Sequence, residues 1–130
     1  MISEDYVSFE TAKLLKEKGF NERLLTFYIT DEAKKEGCFQ LMAFTDDKID
    51  NNHSDHCFLA PTLQMACKWL RKVHNIYMGI FPTHNDDGSI HFIWQTYNSD
   101  YLVTGDCDIF YSTYEQACEA AIKYCLENLL

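Results

Sequence analysis

The residues with the clearest capacity for chemistry lie in one short stretch, His53-Ser54-Asp55-His56-Cys57. Imidazole and thiolate are the usual ligands of protein-bound zinc, so the two histidines and the cysteine are candidate metal ligands. A structural zinc site takes four ligands at motif spacing, and the fourth would come from a distant part of the chain. The distant candidates are Cys38, His84 and Cys107. Because the surrounding residues are polar and turn-forming, we interpret the stretch as a loop and predict no metal and no cofactor.

A cysteine nucleophile would need a base beside it and a third group that orients the base. The candidates are Cys57 beside His56, and Cys107 between Asp106 and Asp108. Flanking carboxylates disfavour a thiolate, so Cys107 would be a poor nucleophile. The chain has no Gly-x-Ser-x-Gly, no His-Glu-x-x-His and no glycine-rich phosphate loop. The sequence therefore favours a non-catalytic protein, with a small enzyme that uses loop His and Cys residues as an alternative.

The first candidate binding surface is a basic group on a predicted helix. Lys68, Arg71 and Lys72 are the only concentrated positive charge on a helix, and Trp69 is expected to emerge at the edge of the same segment. A small anion or an acidic partner would fit there. The alternative is a solvated helix face, because Lys and Arg are mostly exposed whether or not they bind anything.

The second candidate surface lies on a strand predicted over residues 89–97. Side chains alternate between the two faces of a strand. The face expected in the core carries Ile90, Phe92 and Trp94. The other face, where we expect a partner to dock, carries His91, Ile93, Gln95 and Tyr97.

The elements that position these residues begin with a clear C-terminal helix. Ser112 with Glu115, or Thr113 with Gln116, fits a capping box at its start. The apolar face at helical spacing carries Tyr114, Ala117, Cys118, Ala121, Tyr124, Cys125 and Leu129. The opposite face carries Glu115, Glu119, Lys123 and Glu127. Glu119 precedes Lys123 by four residues, so we expect an ion pair between them.

The first half of the chain predicts a helix followed by a hairpin. Ser8 is the expected N-cap of the helix, and Gly19 is its expected end. The strands of the hairpin are expected over residues 23–30 and 38–45. Residues 46–56 follow as a polar loop.

The middle of the chain predicts a second helix and a second hairpin. Pro61 and Thr62 open the helix, which runs to about His74. Its inward face is expected to carry Leu63, Ala66, Cys67, Leu70 and Val73. The second hairpin is expected to join strands 76–81 and 89–97 through the turn 85–88. A loop or short strand through residues 101–103 precedes the C-terminal helix.

A shift of 51 residues aligns two parts of the chain, and it pairs Asp55 with Asp106 and Cys67 with Cys118. The alignment indicates either a duplication with units 23–74 and 76–128 or chance similarity between two amphipathic helices. We predict one α+β domain over residues 1–130, in which an N-terminal helix precedes two ββα units. A short strand before each repeat helix is also possible on this pattern. The antiparallel sheet is expected to carry helices mainly on one face.

Charge is unevenly distributed along this acidic chain, whose net charge is −9. Residues 1–73 hold 10 basic and 12 acidic side chains, whereas residues 74–130 hold 1 basic and 8 acidic side chains, a net charge of −7. Binding to a phosphate backbone needs Lys and Arg to release counterions. Direct nucleic-acid binding by the second half is therefore disfavoured.

Composition indicates a folded protein, since 47% of the residues are hydrophobic and 15% are aromatic. The sequence has no run of about 20 apolar residues that could span a bilayer. The acidic start, Met-Ile-Ser-Glu-Asp, does not fit a signal peptide, so we expect a cytoplasmic protein. The six cysteines include no Cys-x-x-Cys pair, and we predict that all are free thiols.

Three segments are similar to small uncharacterised proteins of gut bacterial genomes, which are often encoded by prophages or other mobile elements. The segments are 6–20 (YVSFETAKLLKEKGF), 61–75 (PTLQMACKWLRKVHN) and 114–129 (YEQACEAAIKYCLENL), about a third of the chain. The resemblance implies an accessory cytoplasmic protein. It assigns no activity and no role to any residue.

Three classes of function stay open at this point. The first is a protein-interaction or adaptor module, self-associating as a homodimer through an uncovered sheet face or an edge strand. The second is an acidic mimic of nucleic acid that inhibits a host defence protein. The third is the small enzyme described above. The aromatic residues on both faces of strand 89–97 favour the first class.

Overall fold

The computed structural model of the 130-residue chain describes residues 2–30, 39–43, 48–98, 103–105 and 109–130. Within these residues lie three helices and six strands. In chain order they are α1 (Phe9–Glu17), β1 (Thr26–Thr30), β2 (Phe39–Ala43), β3 (Cys57–Leu59), α2 (Leu63–His74), β4 (Tyr77–His84), β5 (Ile90–Tyr97), β6 (Val103–Gly105) and α3 (Tyr114–Asn128). The predicted α+β class is confirmed, and a short strand precedes α2 and α3 as predicted. The strands form two antiparallel three-stranded sheets, where one sheet was expected.

The chain divides into two compact units, Met1–Thr62 and Leu63–Leu130. The predicted first repeat, 23–74, groups α2 with the strands that precede it. In the structure α2 belongs to the second unit, where it packs against α3 and β4. The unit boundary therefore falls before the helix, because the apolar face of α2 finds its partners downstream in the chain. The duplication itself stays a prediction.

Helix α1 begins and ends where the sequence predicts. The Ser8 hydroxyl accepts a hydrogen bond from the Thr11 backbone N–H at 3.2 Å, which satisfies one free donor of the first turn. At the other end, Gly19 adopts φ +92°. The N–H groups of Gly19 and Phe20 donate to the carbonyls of Lys16 and Leu15, so the helix closes in a Schellman motif.

The first unit holds a sheet with strand order β2-β1-β3. The predicted hairpin between β1 and β2 is confirmed, with Tyr28 paired to Leu41 on one side and to Phe58 of β3 on the other. The Phe9 ring of α1 packs edge-on against the rings of Tyr28 and Phe58, with centroid distances of 5.7 and 5.4 Å. The Tyr28 hydroxyl donates to the Val7 carbonyl at 2.7 Å. One face of this sheet is therefore covered by aromatic packing.

The segment predicted as a polar loop contains a buried structural residue, Asn51. Its side-chain NH₂ donates to the Phe20 carbonyl at 2.5 Å, and its Oδ1 accepts from the Leu59 N–H at 2.9 Å. Its backbone N–H donates to Asn21 Oδ1 at 2.7 Å. Asn51 thus joins the end of α1 to β3, so the predicted polar loop is anchored to the core at this residue. Turn-forming composition does not distinguish a buried amide from an exposed one.

The second unit holds a sheet with strand order β4-β5-β6, in which β4 and β5 pair from Tyr77↔Tyr97 to His84↔Ile90. The turn predicted over 85–88 is confirmed. The Gly88 N–H donates to the Asn85 carbonyl at 3.0 Å, and Gly88 adopts φ +85°. The predicted strands are confirmed, although β4 extends three residues further than expected.

Two predictions for α2 are wrong in its last turns. Trp69 is 7% exposed and does not emerge at the edge, whereas Val73, expected inward, is 56% exposed. The Trp69 ring packs edge-on against the ring of His74, 4.7 Å between centroids. The large indole offers more apolar area to bury than the valine does, so it takes the inward position. The other predicted inward residues of α2 are buried.

Helix α3 uses the second of the two predicted caps, because the Thr113 hydroxyl accepts from the Gln116 N–H at 3.1 Å. Its buried residues are Ala117, Cys118, Ala121, Ile122, Cys125 and Leu126. Tyr114 and Leu129 are exposed, so the buried stripe is rotated from the predicted one toward Ile122. The charged ends of Lys123 and Glu127 lie 3.9 Å apart, so Lys123 forms an ion pair with the following turn of the helix. None of the helices described is long and apolar enough to cross a membrane.

Candidate functional site

The structure does not gather His53, His56 and Cys57 into a metal site. Cys57 is buried in β3, and its N–H donates to the Ser54 carbonyl at 3.2 Å. The His56 N–H donates to the Ser54 hydroxyl, so the stretch forms a tight turn that is held by its own hydrogen bonds. In the part of the chain that the structure describes, no three His, Cys, Asp or Glu side chains converge to hold a metal ion. The absence of zinc stays a prediction.

Lys16 binds two carbonyl groups of that turn, and the sequence did not predict this role. Its ammonium group donates to the carbonyls of Ser54 and Cys57, both at 2.8 Å. The same group lies 4.7 Å from the centroid of the Phe58 ring, within range of a cation–π contact. Lys16 therefore fixes the histidine-containing turn to α1. From the sequence alone, the lysine is only a favourable charge near the end of the helix.

The basic group on α2 lacks the aromatic residue that the sequence assigns to it. Lys68, Arg71 and Lys72 are exposed as predicted. Trp69 is buried, so it cannot stack on a ligand that the three cations attract. What remains is an exposed basic helix face, which is the simpler of the two interpretations that the sequence allows.

The second predicted surface is the stronger site, because it is larger than the sequence indicates. Directly opposite residues of β4 and β5 point to the same side of the sheet, which places Tyr77 beside Tyr97 and Phe81 beside Ile93. The ring of Phe110 lies 6.3 Å from the ring of His91 on the same side. Tyr77, Phe81 and Phe110 are 49%, 41% and 53% exposed. We call this surface the open face: Tyr77, Gly79, Phe81, His91, Ile93, Tyr97 and Phe110.

Helices cover the other side of the same sheet around Trp94, whereas Ile90, predicted for the core, is 49% exposed beside the turn. The pairs Met78–Thr96 and Ile80–Trp94 point to that side. Trp94 is buried there, as predicted, with its ring 4.9 Å from the ring of Tyr124 on α3. The second sheet thus has one packed face and one face that leaves aromatic rings in solvent.

Gly79 shapes the open face from below. A Cβ placed at this position would lie 2.6 Å from Cζ of Phe81 and 2.7 Å from its Cε2. The Phe81 ring therefore lies back over Gly79 instead of standing upright from the sheet. Because glycine lacks a side chain, the ring can lie close to the sheet, where it is 41% exposed and forms part of the aromatic platform of the open face.

Hydrogen bonds hold the polar members of the open face in place. The side-chain NH₂ of Asn85 lies within hydrogen-bond distance of Nδ1 of His91. The Tyr97 hydroxyl donates to Gln95 Oε1 at 2.9 Å. These bonds fix the ring orientations before any partner arrives, so less side-chain freedom is lost on binding.

The border of the open face is acidic. Asp86 and Asp87 lie in the exposed turn between β4 and β5, and residues 77–97 contain no Lys or Arg. Asp87 Oδ1 accepts from the Ser89 hydroxyl at 2.6 Å and from its N–H at 2.8 Å. These bonds lower the pKa of the Asp87 carboxyl below its usual value, so the group stays anionic.

A second group of reactive atoms lies in the core of this unit, where the sequence predicts only small apolar packing. Cys67 Sγ lies 3.6 Å from Cys118 Sγ and 3.4 Å from Met78 Sδ. The hydrogen bond to Cys67 and burial together raise the pKa of the Cys118 thiol. Burial raises the pKa of the Cys125 thiol to about 12. Cys57, Cys67, Cys118 and Cys125 are free thiols, and Cys38 and Cys107 lie outside the described residues.

The second unit therefore has two features suited to binding. One is the aromatic platform of the open face with its acidic border, and the other is the buried cluster of sulfur atoms. Comparison of the chain with known protein families, with curated proteins and with solved structures finds no match.

Proposed function

We propose that the chain is a non-catalytic protein-interaction module that binds a partner protein through the open face. The observation that supports this is the exposure of Tyr77, Phe81 and Phe110 together on one side of one sheet. Exposed apolar residues that are grouped on one face often mark a site of protein–protein interaction. Aromatic side chains are also enriched among the residues that carry most of the energy of protein interfaces.

The acidic border indicates which charge the partner should carry. A surface that meets the open face would lie beside Asp86 and Asp87, and residues 77–97 supply no cation to offset them. We therefore propose a partner protein that presents apolar side chains flanked by Lys or Arg. Charge complementarity of this kind speeds association and makes it sensitive to salt.

An aromatic sheet face is also found in the stacking platforms of single-stranded nucleic-acid binders, but charge argues against that use here. Such platforms combine aromatic rings with a cationic groove that follows the phosphates. Residues 74–130 carry a net charge of −7. A nucleic acid would thus approach against a repulsive field, whereas a basic protein would be attracted.

The test compares captured proteins across matched variants of the full chain. The face variant combines Tyr77→Ala with Phe81→Ala, and the control combines two exposed apolar residues elsewhere, Ile2→Ala with Leu25→Ala. Proteins captured from the native host are identified by mass spectrometry, purified and titrated against each variant. We expect a partner whose affinity falls at least 30-fold for the face variant, about 2 kcal/mol, and is unchanged for the control.

Two outcomes would contradict the proposal. One is a partner that binds the face variant as tightly as the wild type. If that binding is also abolished by moderate salt, it favours the acidic inhibitor of a host defence protein. The other is preferential capture of nucleic acid, which would reverse the argument from charge.

Self-association through β2 is a second candidate, and it rests on a different observation. Strand β2 lies at the edge of its sheet, and Leu41 and Met42, on opposite faces, are 41% and 40% exposed. The segment Phe39–Ala43 contains no charge and no proline, the two features that usually protect an edge from pairing. By contrast, the edge strand β4 carries Pro82, which lacks the N–H donor. We propose antiparallel pairing of β2 with β2 of a second copy, as in the expected homodimer.

The charge variant Leu41→Lys tests this pairing. We expect a dimer at high micromolar concentration in light scattering for the wild type, and a monomer for the variant, because an edge lysine blocks strand addition. A wild-type monomer at that concentration would exclude the homodimer. It would leave the partner-binding proposal unaffected.

A further inference from the structure

Three sulfur atoms from three different elements meet in the core of the second unit. Cys67 on α2 is the shared member, since its Sγ lies 3.6 Å from Cys118 Sγ on α3 and 3.4 Å from Met78 Sδ on β4. Both cysteines are buried. Two of the three positions, Cys67 and Cys118, are also the ones that the 51-residue shift aligns.

We propose that Cys67, Cys118 and Met78 form a binding site for a soft monovalent metal ion, copper(I). Thiolates and thioethers are soft ligands, and a set made only of sulfur selects copper(I) over the harder divalent ions. Zinc sites use Cys, His, Asp and Glu and close with four ligands. Across the described segments no third residue of those types joins the two cysteines.

The observed separations suit an ion placed between the sulfur atoms. With a metal–sulfur bond of roughly 2.3 Å, two sulfurs 3.6 Å apart subtend an angle of about 100° at the metal. The pair at 3.4 Å gives about 95° by the same construction. Both angles are smaller than those of a planar three-sulfur site, so binding would move the sulfur atoms slightly apart. Methionine has three rotatable side-chain bonds, which lets Sδ adjust to the ion.

Coordination replaces the S–H bond of each cysteine with a sulfur–metal bond, so each thiol that binds the ion releases one proton.

The test is a copper(I) titration of the full, reduced chain without oxygen, in competition with a chromophoric copper(I) chelator. Silver(I), which has no accessible redox chemistry here, serves as a second probe and is counted by native mass spectrometry. We expect one ion per chain, a new ultraviolet absorbance from thiolate-to-metal charge transfer, and a higher melting temperature because the ligand binds only the folded state.

Three variants make the assignment specific. Met78→Leu keeps the side-chain volume and removes only the thioether, so it is the decisive variant; we expect at least a tenfold loss of affinity with an unchanged fold by circular dichroism. Cys118→Ser should abolish binding in the competition. Cys125→Ser is the matched control, because it alters a buried thiol of the same helix outside the cluster, and it should bind as the wild type does.

The proposal is overturned if the wild type takes no copper(I) from the chelator. It is also overturned if Met78→Leu binds with wild-type affinity, or if Cys125→Ser loses as much affinity as Cys118→Ser. Each of these results would show that the three sulfur atoms are apolar packing and no more. Because Cys118→Ser buries a hydroxyl and can unfold the chain, its loss of binding counts only alongside that of Met78→Leu.

Discussion

The two three-stranded sheets differ in where they leave apolar side chains exposed. In the first sheet the aromatic rings of Tyr28 and Phe58 are covered by Phe9 of α1. Among the exposed apolar side chains of its strands, Leu41 lies on one face and Ile29 and Met42 lie on the other. In the second sheet the exposed aromatic residues lie together on the open face.

The grouping of apolar residues, more than their number, therefore marks an interaction surface. Single exposed apolar residues are common on any protein surface and need no explanation. The open face differs because it groups exposed aromatic residues on one side, the ring of Phe110 contacts that of His91, and hydrogen bonds fix its polar members. Gly79 also lets the Phe81 ring lie close to the sheet. Covered and open faces should consequently respond differently to mutation.

The largest expected effect lies on the covered side of the second unit. Leu70 is fully buried on α2, so Leu70→Ala removes packed methyl groups and leaves a cavity. We expect a loss of about 2–5 kcal/mol in the free energy of unfolding. Val73→Ala on the same helix is the control, since Val73 is exposed, and it should cost about 0.5 kcal/mol or less. Urea denaturation measures both, and equal losses would contradict the corrected orientation of α2.

The next effect is in the first unit and tests Asn51. Asn51→Ala leaves the Phe20 carbonyl and the Leu59 N–H without the bonds that the side-chain amide now supplies. An unsatisfied buried polar group costs about 1–3 kcal/mol. We therefore expect a loss of that size in urea denaturation, and almost none for Asn52→Ala at the exposed neighbouring position. A neutral Asn51→Ala would mean that these hydrogen bonds do not anchor the polar loop to the core.

These two sites show why the sequence predicts where helices and turns begin and end, but not which residues between those points are buried. Ser8, Gly19 and the turn 85–88 are predictable because a cap or a turn is decided by residues within a few positions of each other. The burial of Trp69 and Asn51 is decided by partners that are distant in sequence. Residue type and spacing carry little information about such partners.

The open face is predictable from the sequence only in part, because it also depends on contacts between residues that are distant in the chain. Alternation along β5 places His91 and Tyr97 on the free side of a strand, and the structure agrees. Tyr77 and Phe81 escape the sequence prediction, although their spacing of four puts them on one side of β4. By sequence, Phe110 is an apolar lead-in to α3, and only its ring contact with His91 shows which face it joins.

A smaller effect concerns the pH dependence of the covered core. Burial raises the pKa of Cys125 to about 12 from the ordinary value of 9.0. The folded chain therefore keeps this proton between pH 9 and about 12, where the unfolded chain has lost it. Stability should fall with rising pH across that window by about 1.4 kcal/mol per unit from this one group.

The variant Cys125→Ala isolates that contribution. The free energy of unfolding, measured in urea at pH 8 and at pH 10.5, should fall less steeply with pH for the variant than for the wild type. Residual steepness is expected from Cys118, whose pKa is also raised by burial and by its hydrogen bond. Identical slopes in both proteins would mean that the Cys125 thiol is accessible to solvent in the folded state.

The smallest effect on stability, and the sharpest test of the difference between the two sheets, is Gly79→Ala. The added methyl group would lie 2.6 Å from the end of the Phe81 ring, so the ring must swing away from the sheet. Because the ring is exposed and flexible, the movement should cost about 1 kcal/mol or less of stability. This movement changes the shape of the open face, so affinity for its partner should fall while the fold persists.

Gly88→Ala, where φ is +85° and no atom lies within 4 Å of the added methyl, should show the reverse pattern. Strain in the turn would lower its melting temperature, but the platform would be intact and binding unchanged. If both variants bind alike, the orientation of the Phe81 ring does not matter to recognition.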